Sequence, residues 1–192
     1  NADAGERRFG PGGRLYFVSA GGALNPYGKR AVYELSVEAG GVQMSVKSAA
    51  PSGDAVVPYY WQRVEQEVDS IYQGSLLTSP QRWFWDYVMS GQRKSYTFPV
   101  SALAESREPS RVEVWLQGAS DFPADPDHHV RVSVNGYAVG EASWDGKYPK
   151  RIAAEVQPGV LHEGENTLAL ENVGDTGAQS SLVLLDRYAL SY

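Results

Sequence analysis

Val130, Val132 and Val134 alternate with Arg131 and Ser133, and the run ends at Asn135-Gly136. No other feature constrains the folding of this chain as strongly. A period of two puts the valines on one face of a strand and the polar residues on the other. Asn-Gly tolerates positive φ at both positions, as a two-residue hairpin between twisted strands requires. The return strand then covers Tyr137–Ala142. Val112, Val114 and Leu116 alternate with Glu113, Trp115 and Gln117, and Ile152, Ala154 and Val156 run into a Pro158-Gly159 turn. Thr167–Glu171 and Leu182–Tyr192 read as further strands. Tyr96, Phe98 and Val100 form another, and Pro99, which lacks a ladder N–H, places it at a sheet edge.

Upstream, Leu15–Ala20, Arg30–Val37 and Val42–Val46 are expected to be strands, with Ala39-Gly40-Gly41 as the turn between the last two. Ser48–Pro58 reads as a loop. Tyr60–Tyr72 fits either a helix, through Trp61, Val64, Val68 and Ile71, or an irregular strand. Arg82–Met89 follows Ser79-Pro80, a cap and a first-turn proline, and is expected to be one short helix over the end of the core. Closely spaced strands without long helices make the chain an all-β sandwich. Twenty Gly, eleven Pro, twelve Tyr and five Trp agree with a turn-rich β protein. Asn1-Ala2 reads as a tag remnant, so the sequence is expected to be a fragment excised from a longer protein.

The net charge of −6 argues against nucleic acid, which selects basic surfaces. No apolar run approaches the ~20 residues of a membrane-spanning helix. With no cysteine, the chain has no thiol nucleophile, disulfide or thiolate metal site. No Ser–His–Asp arrangement stands out, no Gly-x-Ser-x-Gly elbow exists, and no carboxylate pair is singled out by spacing. The expectation is a chain that is not an enzyme.

The densest polar cluster is Asp121-Phe122-Pro123-Ala124-Asp125-Pro126-Asp127-His128-His129. Asp121, Asp125 and Asp127 could hold calcium, which takes six to eight oxygen ligands. The competing reading is a plain turn, since Asp and Pro both initiate turns. His128 and His129, adjacent on a strand, point to opposite faces and do not share a zinc ion. Among the aromatics, Trp115 on the polar face of its strand, Tyr137 after the hairpin, and Trp144 in Trp144-Asp145-Gly146 are the rings placed to stack on a sugar. Trp83 and Trp85 read as core or interface.

Several stretches carry a resemblance. His128-His129-Val130-Arg131-Val132-Ser133-Val134-Asn135-Gly136, with Val139–Gly146 and Gly164-Glu165-Asn166-Thr167-Leu168, is similar to a galactose-binding-like jelly roll. Together with Tyr16-Phe17-Val18-Ser19-Ala20-Gly21-Gly22, Lys29-Arg30, Trp83-Phe84-Trp85-Asp86, Gly118-Ala119-Ser120-Asp121, Gly174-Asp175-Thr176-Gly177 and the strand Asp186–Tyr192, the chain resembles the non-catalytic region before the protease domain of gingipain-like bacterial cysteine peptidases. That resemblance implies one jelly-roll domain over 1–192, with 1–74 adding strands and a flank and 75–192 forming the core. It implies an extracellular or cell-surface protein whose catalytic Cys and His belong to a caspase-like domain following in the same chain. The implied task is accessory, packing on or positioning that protease domain. The alternative is a carbohydrate-binding module, and the fold alone does not decide between them.

Overall fold

The computed structural model describes residues 14, 16–19, 30–36, 59–75, 79 and 81–192. The chain divides into two compact units, Asn1–Pro51 and Ser52–Tyr192. In the first, residues 16–19 and 30–36 form no strand, contrary to expectation. Alternation makes a strand only where a neighbouring ladder takes its N–H and C=O groups. What joins these segments instead is a side-chain contact: the Phe17 and Tyr33 rings lie 5.0 Å apart, and the Ser19 and Tyr33 hydroxyls are hydrogen bonded. The expected strand Val42–Val46 and the turn Ala39-Gly40-Gly41 lie outside the described residues.

The second unit is all-β among its described residues. Its strands are β1 (Arg63–Glu67), β2 (Ile71–Tyr72), β3 (Trp83–Phe84), β4 (Asp86–Met89), β5 (Arg93–Val100), β6 (Ser110–Gly118), β7 (His128–Val134), β8 (Tyr137–Trp144), β9 (Pro149–Val156), β10 (Gly164–Asn172) and β11 (Leu182–Ser191). One sheet holds β11, β6 and β9 in that order, with β4 and β1 both on the other edge of β11. The second sheet runs β5-β10-β7-β8. From β4 onward the chain changes sheet at every connection except the Asn135-Gly136 hairpin, and every pairing is antiparallel. That path is a jelly roll.

Asn135 and Gly136 adopt φ of 48° and 86°, the positive pair the hairpin needs. Val130, Val132 and Val134 are fully buried, with Val112, Val114 and Leu116 among the residues facing them across the core. Pro99 sits on β5, whose one ladder partner is β10 and which is therefore an edge strand. The expected helix over 82–89 is absent. Those residues form β3 and β4, because the free edge of β11 offers a ladder: Asp86–Met89 pairs with Leu182–Leu185, and the Trp85 N–H reaches the Leu185 carbonyl at 2.8 Å. The Trp85 ring then stacks on Tyr188 at 5.5 Å. Aromatic-rich sequence suits a half-buried strand at least as well as a helix. Phe84 and Leu184 form a small second cluster with Ile71 and Ala119.

Candidate functional site

Because Val112, Val114 and Leu116 of β6 point into the core, Arg111, Glu113 and Trp115 point the other way. Register places Ser191, Ala189 and Arg187 of β11 beside them on one flank, and Glu155, Ala153 and Arg151 of β9 on the other. β1 adds Arg63, Glu65 and Glu67. The outer face of this sheet is thus a lattice of charges around one indole. Arg187, Arg151 and Arg63 lie over the Trp115 ring at 4.6, 5.4 and 5.8 Å from its centroid, within cation–π range. Glu113, only 5% exposed, is paired with Arg151 and with Arg63 at 2.5 Å, and Arg111 stands 3.7 Å away. Arg187 also pairs with Glu65 at 3.2 Å. Trp115 is on the outer face, as its alternation required, but three guanidinium groups occupy the ring that a sugar would need.

Beside this lattice lies an open depression of about 500 Å³. Trp61 forms one wall, Pro109, Ser110 and Arg111 another, and Ala153–Glu155 with Ser191 complete it. Ala153 and Ser191 are small and lie on this face beside the long side chains of Arg111 and Glu155. Trp61 is held beside it by the chain just before β1, where Gln62 and Tyr192 exchange two backbone hydrogen bonds of 2.8 and 2.9 Å. In the sequence Trp61 stood in a segment that fitted either a helix or an irregular strand, so its position next to β6 and β9 was not legible.

The acidic loop behaves differently from a ligand set. Asp127 is fully buried: its Oδ2 accepts the Phe122 N–H at 3.1 Å and its Oδ1 the Gly146 N–H at 3.0 Å. Asp121 and Asp125 are exposed. Among the described residues, no group of three or more His, Asp or Glu side chains is arranged to hold a metal ion. The carboxyl of exposed Asp145 is raised from its ordinary value by desolvation and by the charges of Asp125, Asp127 and Asp121.

Under that loop the structure assembles a polar line that sequence spacing had not indicated. His128 Nε2 lies 3.2 Å from Asp127 Oδ1, and its Nδ1 2.7 Å from Ser181 Oγ. Ser181 Oγ also accepts from Asn172 Nδ2 at 3.0 Å. Serine, histidine and aspartate do meet here, in a place sealed from substrate: Ser181 is 2% exposed, the other two not at all. Their work is to tie β7, the turn after β8 and the start of β11 together. His129 points to the opposite face, as expected, and bonds Asp175 at 2.7 Å.

The three aromatic candidates are not brought together. Trp144 is 8% exposed at the end of β8, its ring 4.9 Å from that of His128; it is a core residue and not a loop ring. Tyr137 is exposed at the other end of β8, roughly 23 Å away along an extended strand. Trp115 belongs to the other sheet.

No protein-family model and no curated protein matches the sequence. Among solved structures, dimeric latent PorU from Porphyromonas gingivalis is similar with a TM-score of 0.55 and 12% identity over 73% of this chain. A family 36 carbohydrate-binding module in complex with calcium and xylotriose is 14% identical over 67% of this chain and 98% of the module, at a TM-score of 0.42. A family 35 module from Clostridium thermocellum is 19% identical over 54% of this chain and 72% of its own, at 0.36. The chain spans 13% of the length of PorU. What it shares with PorU at this identity is the fold.

Proposed function

We propose that this chain is a non-catalytic accessory β-sandwich of a larger extracellular or cell-surface protein, docked on a gingipain-like protease domain of the same polypeptide. The observation that supports it most is the apolar surface of the first unit. Val18, Val32 and Leu35 are 96, 92 and 77% exposed, and Tyr16, Phe17 and Tyr33 are more than half exposed. Exposed apolar residues gathered in short segments mark surfaces that another domain covers. The experiment is to express the reading frame that follows Tyr192 and mix it with this chain. A caspase-like domain there that co-sediments with the parent chain, but not with a Val18→Ser, Leu35→Ser variant, supports the reading. A frame encoding no such domain overturns it.

A second reading, a carbohydrate-binding module, is favoured by the depression beside Trp61, where an exposed ring stands next to polar side chains in a concavity. Calcium belongs to neither reading by preformed geometry. A cation would bind by drawing Asp121, Asp125 and Asp145 together, which relieves the carboxylate repulsion that adds to desolvation in raising Asp145. Saturating calcium would then raise the Tm of the parent protein but not of Asp125→Asn, by mass action. An unchanged Tm in both returns the loop to a plain turn.

A further inference from the structure

Arg111 and Glu155 are cross-strand partners on the same face of β6 and β9, yet they do not pair with each other. Among the described residues, the one ion contact of the Arg111 guanidinium is Glu113 at 3.7 Å, and Glu155 has no hydrogen-bond or ion-pair partner. Opposite charges on facing strand positions are stabilised by closing on one another. Here both instead line the depression, together with Ser110, Ser191 and the 59% exposed Trp61. Donor, acceptor and flat apolar face are therefore presented to one space of about 500 Å³, within the size range of small-molecule sites.

The charges narrow the ligand. An anion is drawn to Arg111 and repelled by Glu155, and a cation meets the reverse. A neutral polyol satisfies both, because each hydroxyl accepts from a guanidinium and donates to a carboxylate. The C–H face of a pyranose ring supplies the apolar surface that an indole buries. We propose that the depression beside Trp61 binds a short stretch of a neutral oligosaccharide, with Trp61 against a ring face and Arg111 and Glu155 on its hydroxyl groups. The inference rests on the carbohydrate reading above and gives it a place that includes none of Trp115, Tyr137 and Trp144.

The test is native gel electrophoresis of the whole 192-residue chain through gels containing soluble xylan, mixed-linkage β-glucan or galactomannan. Retardation by at least one polymer is expected. Trp61→Ala should weaken it at least about tenfold, as loss of an anchoring aromatic does. Glu155→Gln, which preserves shape at an exposed site, should weaken it less, and Tyr137→Ala should leave it unchanged. Equal Tm values among the variants tie these effects to the surface rather than to folding. Full retardation of Trp61→Ala with loss in Tyr137→Ala overturns this placement while the carbohydrate reading stands. No retardation by any polymer overturns both, as it must if the depression and the free edge of β9 instead receive a polypeptide.

Discussion

Gly118 shows how tightly single residues are specified at the acidic end of the sandwich. A methyl group there would sit 2.7 Å from His128 Nε2 and 3.0 Å from Trp144 Nε1, and would also run into the Gly146 carbonyl. All three are held from several sides, so none can give way cheaply. Gly118→Ala should cost about 1–3 kcal/mol, read as a lower urea midpoint at unchanged m. Ser181→Ala should cost a similar amount, because it removes a partner from two buried groups, His128 Nδ1 and Asn172 Nδ2. Neither residue's packing role announced itself in the sequence. The Asp-Pro-rich run identified a turn, but Asp127 bonds Gly146 19 residues on, and His128 bonds Ser181 53 residues on. Local pattern carries no information about partners that only the closed sandwich brings near.

The strands were legible where their signal was local, and the Asn135-Gly136 hairpin is the clearest case. β4 was not, because the edge of β11 decides it. Once formed, β4 is tied to the opposite sheet through Asp86. Burial works against ionising that carboxyl. The hydrogen bond and charge of Lys94, at 2.7 Å, with the Tyr87 amide and the Tyr96 hydroxyl, outweigh burial and hold it below its ordinary value. The folded state therefore releases this proton more readily than the unfolded chain. The resulting stabilisation is complete above an unfolded aspartate's pKa of about 3.9 and is lost as pH falls through the lower folded value. Asp86→Asn should lower the Tm at pH 7 and flatten part of its fall below about pH 4. Asp186, raised first by burial, has the opposite sign: it favours the folded state in acid and loses that contribution as pH rises. A Tm series against pH on parent and variant separates the two.

Across the whole molecule, the sandwich and its core followed from alternation, whereas the outer-face lattice and the Trp61 depression did not. Alternation says that Arg111, Glu113 and Trp115 face outward together. It does not say which arginines arrive from β1, β9 and β11, since that depends on strand order. Glu113→Gln tests the lattice as a unit, because it leaves Arg63, Arg111 and Arg151 facing one another without their shared carboxylate. The three arginines are about half exposed, so solvent screens much of the effect. A loss of about 1–2 kcal/mol is expected, shrinking as salt rises from 0.05 to about 0.5 M. A loss independent of salt would mean that packing around Trp115, and not charge, holds this face.

β11 is the last strand in the chain, yet β1, β4 and β6 all pair with it. A ribosome delivers those three strands long before their shared partner exists. Until residues 182–191 emerge, that sheet has no centre, and the apolar faces of β4 and β6 have no completed layer to join. Assembly therefore waits for the end of the domain's synthesis, and every earlier length of nascent chain displays strand edges that can pair with the wrong neighbour. Such a chain has reason to rely on chaperones during translation. Ribosome-stalled lengths ending before residue 182 should be protease-sensitive across β1–β10, and those that expose β11 should become resistant there in a single step.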